Sequence, residues 1–110
     1  MAELFRILVV DDEATQRELV CGYLKKQGFE VFAAPSAERA LEFFRQEPVE
    51  LILTDQRMPN LSGLDLLKAA QAINPETNVI MMTAYGNIET AVEAMKAGAA
   101  DYLTKPLHLE

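Results

Sequence analysis

Glu50-Leu51-Ile52-Leu53-Thr54-Asp55, continuing into Gln56-Arg57-Met58-Pro59-Asn60-Leu61-Ser62-Gly63, is an apolar run of strand length that ends in one carboxylate and then turns sharply. In open α/β folds, ligands and chemistry sit outside the carboxyl ends of parallel strands. An acid placed there is a candidate nucleophile or metal ligand. A cap or turn acid is the plain alternative for Asp55, and the groups delivered by the other strand ends decide between the two.

Working outward, residues 5–10 (FRILVV) are almost continuously apolar, as expected of a strand buried on both faces, and they run into Asp11-Asp12-Glu13. A helical pattern follows to Gln27, with Leu19, Val20, Tyr23 and Leu24 at three- and four-residue spacing and Gly28 as its stop. Residues 30–34 read as a second strand; Ser36 caps a helix whose inner face is Ala37, Ala40, Leu41 and Phe44. Residues 64–73 read as the third helix, ended before Pro75, with Gly63 serving a turn or close packing. Residues 78–83 (NVIMMT) form a fourth strand. Ile88, Ala91, Val92 and Met95 then mark an amphipathic helix closed by Gly98, and residues 101–104 a short fifth strand before Lys105-Pro106. Strand and helix alternate throughout, which predicts an α/β fold with a doubly wound, five-stranded parallel sheet.

Five strands accompany only four helices, and just Leu107-His108-Leu109-Glu110 follow Pro106. The sheet face beside the first helix is therefore expected to be under-covered. The expectation is one domain over residues 1–110, cut before a fifth helix, or else a partner chain over the gap; an apolar face of that kind favours a homodimer. His108 reads as a solvated tail residue.

The 110 residues carry a formal net charge of -7, half of them are hydrophobic and a quarter charged. That is one globular domain, and the absence of a basic cluster argues against nucleic-acid or anionic-membrane binding by it. Cys21 is alone, which excludes an internal disulfide and reads as a small semi-buried apolar residue. Met58, Met81, Met82 and Met95 read as core filler. No apolar run has membrane-spanning length and the N-terminus lacks a signal-peptide pattern, so a cytoplasmic location is expected.

The strand ends deliver Asp11 and Asp12, Asp55, Thr83 and Lys105. In a parallel sheet these converge on one edge. Three crowded carboxylates repel, and a hard divalent cation such as Mg²⁺ resolves the conflict. Lys105 adds a point charge and Thr83 a hydroxyl. Metal, cation, donor and an attacking carboxylate are the parts phosphoryl transfer needs. With strand order 2-1-3-4-5, Asp55 lies between the acid pair and the Thr83/Lys105 pair and is the best nucleophile.

Val10-Asp11-Asp12-Glu13, Thr54-Asp55-x-x-Met58-Pro59-x-x-x-Gly63, Met82-Thr83-Ala84 and Asp101-Tyr102-Leu103-Thr104-Lys105-Pro106 together resemble the receiver domain of two-component response regulators, the CheY-like family. The resemblance runs from Phe5 to Pro106. It implies that Asp55 accepts a phosphoryl group from the phosphohistidine of a sensor histidine kinase. It also implies that Asp12, Asp55 and the backbone carbonyl of Arg57 ligate Mg²⁺, with Asp11 helping through water. Thr83 and Lys105 would grip the phosphoryl group, and the Thr83-Ala84-Tyr85-Gly86 loop would be drawn inward. Tyr102 would be the rotating aromatic of the switch, and the Lys105-Pro106 peptide would be cis and aim the lysine. Arg57 and Tyr85 would flank the route of an attacking water and slow loss of the phosphoryl group.

Residues 82–99 are most similar to receivers of the NtrC subfamily, which control an AAA+ ATPase and a DNA-binding domain in the same chain; neither is contained in these residues. The resemblance thus implies a transcriptional effector beyond the receiver. It also implies that the domain is no metabolic enzyme, catalysing only its own phosphorylation and dephosphorylation. Two other readings fit less well. A metal-dependent phosphatase of the haloacid-dehalogenase type wants a second Asp where Arg57 stands. A flavodoxin-like redox module wants a phosphate loop where Asp11-Asp12-Glu13 would repel the flavin phosphate.

Overall fold

The computed structural model describes residues 5–84 and 88–105. Strands and helices alternate as β1 (Arg6–Val10), α1 (Ala14–Lys26), β2 (Glu30–Ala34), α2 (Ala37–Gln46), β3 (Leu51–Asp55), α3 (Gly63–Ile73), β4 (Asn78–Thr83), α4 (Ile88–Lys96) and β5 (Asp101–Thr104). The five strands form one sheet in the order β2-β1-β3-β4-β5, and every neighbouring pair is parallel. This is the doubly wound architecture expected, with four helices among the described residues.

Side-chain alternation divides the core in two. Leu8 and Val10 of β1, Ile52 of β3 and Val79 and Met81 of β4 pack against α2, α3 and Ala94 of α4. Ile7, Val9, Leu53 and Met82 face the other way, against Val20 and Cys21 of α1. Burial pushes the Cys21 thiol up, against the small opposing pull of Lys25 and Arg17, so it packs as an apolar group. Coverage of the α1 face is uneven: Leu53 and Met82 are buried, while Leu51 and Ile80 stay partly exposed.

One helix buries a different stripe from the one its periodicity advertises, and another buries only part of it. In α1 Val20 is buried and Leu24 packs against the same core as expected, joined by Cys21, while Leu19 is 60% exposed. In α4 the expected inner residues Ile88, Val92 and Met95 are exposed, and the buried residue is Ala94, with Thr90, Ala91 and Ala97 partly covered. Met95 therefore does not fill the core, unlike Met81 and Met82. Small side chains let a helix axis approach its neighbours closely, and α4 uses that face. Its C-terminal Gly98 sits against the Gln71 side chain of α3, at a φ of 107°.

Local chemistry ends the elements near the carboxyl edge of the sheet. Ser62 and Asp65 form a reciprocal capping box at the start of α3, each side chain accepting a backbone N–H of the other, at 3.1 and 3.0 Å. Asn60 takes φ 69° in the turn before it, a left-handed conformation that Asn tolerates better than most residues.

Candidate functional site

Hydrogen bonds of the sheet continue past the strands to the residues expected to do chemistry. Asp11 N–H donates to Ala34 O at 3.2 Å, Gln56 N–H to Met82 O at 2.8 Å, and Lys105 N–H to Thr83 O at 2.8 Å. These bonds anchor the main chain of each strand end, so the side chains start from fixed points.

Asp11, Asp12 and Asp55 each bring a carboxylate oxygen to within 4.8 Å of the other two. Asp11 is buried to 1% exposure, Asp55 is nearly so, and Asp12 is open to solvent. Lys105 reaches across from the end of β5: its Nζ lies 2.9 Å from Asp11 Oδ2 and 3.4 Å from Asp55 Oδ2. Asp11 also accepts from Glu13 N–H through Oδ1, at 3.0 Å, and its main-chain carbonyl accepts from Arg17 Nη1 at 2.8 Å.

The charges answer this geometry. Burial drives the Asp55 carboxyl above its ordinary range; Lys105 pulls it back and the neighbouring Asp11 charge pushes it up again. For Lys105, burial works against the ammonium but is outweighed by the hydrogen bond to Asp11 and the negative charges of Asp55 and Asp11, leaving it above its usual value. A partly buried lysine held charged between two acids does in part what a divalent cation would do among three. The donor set, three carboxylates around an open cleft, fits a hard cation with oxygen ligands.

The cleft has a volume of about 390 Å³ and is lined by Asp12, Glu13, Gln16, Asp55, Arg57, Ala84 and Lys105. Of the expected residues, Asp11, Asp12, Asp55, Arg57, Ala84 and Lys105 thus gather at one edge. Thr83 is wholly buried at the end of β4. Tyr102 sits on β5 opposite Met81, half-buried, with its ring against the α2–α3–α4 core. Tyr85, Gly86, Pro106 and His108 lie outside the described residues. Gln16, one helical turn beyond the acidic run, was not singled out by the sequence, nor was Gln56. Nothing local to either residue marks it.

Gly63 explains how α3 can begin directly beneath the central acid. Its N–H donates to Gln56 O at 2.9 Å. A Cβ there would run into the main-chain carbonyl of Asp55 and come within 2.8 Å of Met81 Sδ. Gly63→Ala is therefore expected to cost about 1–3 kcal/mol in urea denaturation, the usual penalty for overpacking, and to displace Asp55. A variant as stable as the parent contradicts the close approach.

The profile of the response regulator receiver domain matches residues 7–110. The response regulator protein PilR of Pseudomonas aeruginosa is 45% identical over 104 residues, 94% of this chain and 23% of PilR. The transcriptional regulatory protein ZraR of Escherichia coli K12 is 44% identical over 104 residues, again 94% of this chain and 24% of ZraR. This chain therefore spans about a quarter of the length of these curated relatives. Among solved structures, a Burkholderia pseudomallei response regulator with a phosphorylated aspartic acid, calcium ion and citrate superposes with a TM-score of 0.89 at 33% identity, covering 94% of this chain and 61% of that one. A parallel sheet of order 2-1-3-4-5, an acid cluster at its carboxyl edge and a profile match over nearly all its length agree: the chain belongs to the response regulator receiver domain family.

Proposed function

We propose that this domain is a phosphorylation-driven signalling switch that takes a phosphoryl group onto Asp55 from the phosphohistidine of a sensor histidine kinase. The observation that carries this reading is the placement of Asp55 among Asp11, Asp12 and Lys105 at the mouth of the cleft. An Asp55 oxygen attacks phosphorus, the P–N bond of the donor breaks, and the imidazole nitrogen keeps the electron pair. Lys105 is already charged and within reach of Asp55, so it meets the negative charge of the incoming group. Thr83, at the end of the neighbouring strand, offers the hydroxyl that would hold a second phosphoryl oxygen.

Asp11, Asp12, Asp55 and the Arg57 carbonyl would hold Mg²⁺, which when bound neutralises carboxylate and phosphoryl charge. The phosphorylated aspartic acid and calcium ion named for the Burkholderia protein support this assignment. Phosphorylation replaces one negative charge with about two and adds three acceptor oxygens. Attraction of Thr83 and Ala84 toward them would shift the population of the loop beyond β4 and of Tyr102. Arg57 at the cleft wall would hinder water.

The domain is a phosphoacceptor rather than an enzyme that turns over a metabolite; its own phosphorylation and dephosphorylation are the only reactions proposed. In a full-length protein it would control transcription, a role that the name of the transcriptional regulatory protein ZraR supports; an AAA+ ATPase and a DNA-binding segment would carry the output. A phosphohistidine donor made from ATP would place that exchange in the cytoplasm. Among the described residues no helix is long and apolar enough to cross a membrane. Incubation with acetyl phosphate and Mg²⁺ followed by mass spectrometry tests the reading. One phosphoryl group mapped to Asp55 is expected. An unmodified Asp55 in the folded protein rejects it.

A further inference from the structure

Asp11 is held at each of its polar atoms. Its N–H donates to Ala34 O at 3.2 Å, its Oδ1 accepts from Glu13 N–H at 3.0 Å, and its Oδ2 accepts from Lys105 Nζ at 2.9 Å. The main-chain oxygen accepts from Arg17 Nη1 at 2.8 Å. That last bond is the one supplied by neither the sheet nor the acid cluster. Arg17 stands one turn into α1, where its own N–H donates to Glu13 O at 3.0 Å. Its guanidinium reaches back across that turn to the end of β1.

The peptide unit is planar, so fixing the Asp11 carbonyl also fixes the plane that carries the Asp12 N–H and Cα. Asp12 is exposed and stands between Asp11 and Glu13, the N-cap of α1. Its carboxylate comes within 4.8 Å of those of Asp11 and Asp55, and the main chain on either side sets that place. On the helix side the tie is Glu13 N–H to Asp11 Oδ1; on the strand side it is Arg17 to Asp11 O. The Glu13 side chain makes no cap bond at this end of α1, which leaves the turn to those two ties. Arg17 is half-buried and lines, with Cys21, Val31 and Ala33, a cavity of about 290 Å³ between α1 and β2. An arginine stem set along apolar surface keeps its charged head in one region.

We propose that Arg17 is a positioning residue for the metal site, holding the peptide between Asp11 and Asp12 so that the Asp12 carboxylate meets the same cation as Asp11 and Asp55. The proposal deepens the Mg²⁺ reading of the acid cluster and rests on it. Charge and positioning make opposite demands of this residue. As a positive charge alone, Arg17 repels a divalent cation, and its removal tightens binding. As the anchor of the turn it holds a ligand in place, and its removal weakens binding.

Titration of the parent, Arg17→Met and Arg17→Lys with MgCl₂ at constant ionic strength, followed by NMR at the Asp12 and Asp55 amides, tests it. Hydrogen exchange of the Glu13 amide in metal-free buffer accompanies the titration. Arg17→Met keeps a long unbranched side chain and loses both the donor and the charge. It is expected to bind Mg²⁺ about tenfold more weakly, the lower end of the penalty for removing a group that orients a metal ligand. Its Glu13 amide should exchange faster, because the turn has lost one of its two ties. Arg17→Lys keeps a charged donor, and the bond to Asp11 O uses one donor only, so most of the affinity should return. Unchanged or tighter Mg²⁺ binding by Arg17→Met overturns the positioning role, as does an Arg17→Lys variant that binds as weakly as Arg17→Met. A parent that binds no Mg²⁺ removes the metal reading instead. The Glu13 amide then decides the rest, and exchange no faster in Arg17→Met than in the parent overturns the anchor itself.

Discussion

Asp55→Asn abolishes covalent capture of a phosphoryl group from acetyl phosphate while leaving the fold in place. The amide matches the carboxylate in shape, so the strand end, Gly63 and the Gln56 main chain keep their positions. It lacks the anionic oxygen that attacks phosphorus, and no neighbouring acid replaces it. Asp11 is sealed in its ion pair with Lys105 at 2.9 Å, and Asp12 projects into solvent. The expected result by mass spectrometry is no added phosphoryl mass at saturating donor. Phosphorylation persisting at the parent rate would move the nucleophile elsewhere and dismantle the mechanism.

The same substitution has a second consequence that stability measurements can read. The folded Asp55 carboxyl is raised, by burial first and by Asp11 in addition, against the pull of Lys105. A carboxyl raised on folding favours the folded state most when protonated, and its ionised form costs stability above the folded pKa. Asp55→Asn removes that cost, so without Mg²⁺ the variant is expected to denature at higher urea than the parent near neutral pH. The difference should narrow as pH falls through the raised pKa, where Asp55 itself becomes neutral.

Lys105→Ala produces the other large effect, acting on chemistry and on stability together. Lys105 is the cation between Asp11 and Asp55, with a side chain only 13% exposed. Its removal leaves two inward acids facing each other, and stripping one partner from a buried ion pair costs about 3 kcal/mol. Without Mg²⁺ near neutral pH, denaturation should show a loss of that order. The parent's Lys105 is raised by its acidic partners, so its contribution is present below the unfolded pKa of lysine and fades only as pH rises through the folded value. In the variant the deficit should shrink as pH falls and Asp55 takes a proton, or when Mg²⁺ is added. Transfer from acetyl phosphate should fall on the order of a hundredfold, the penalty for losing one preorganised group that meets developing charge. Unchanged stability in metal-free buffer would mean that the ion pair is absent in solution.

The site was readable to the extent that the fold's logic sends strand ends to one edge. Asp11, Asp12, Asp55, Thr83 and Lys105 could be collected without contacts, because each follows an apolar run and parallel strands end together. Gly63 was legible as a close-packing or turn residue, but which atoms it must clear, the Asp55 carbonyl and Met81, became apparent only in three dimensions. Gln16 and Gln56 carried no local signal at all. A glutamine on a helix or in a loop has the same appearance whether it faces solvent or a phenol from another strand.

The sequence by itself determined the alternation of elements, the parallel sheet and the carboxylate cluster, since periods of two and 3.6 residues and strand-end residues are properties of short stretches of chain. The inner face of α2, Ala37, Ala40, Leu41 and Phe44, was legible too and is buried, whereas only the tertiary structure decided which stripe of α4 points inward. In α4 the Ile88, Val92 and Met95 stripe and the small-residue stripe with Ala94 are both periodic, and closeness of approach to the sheet selected the small one. Tertiary structure alone likewise joined Lys105 to Asp11, 94 residues away, and Tyr102 to Gln56, 46 residues away. Such pairings are made by chain closure and packing of the whole domain, which no local pattern encodes.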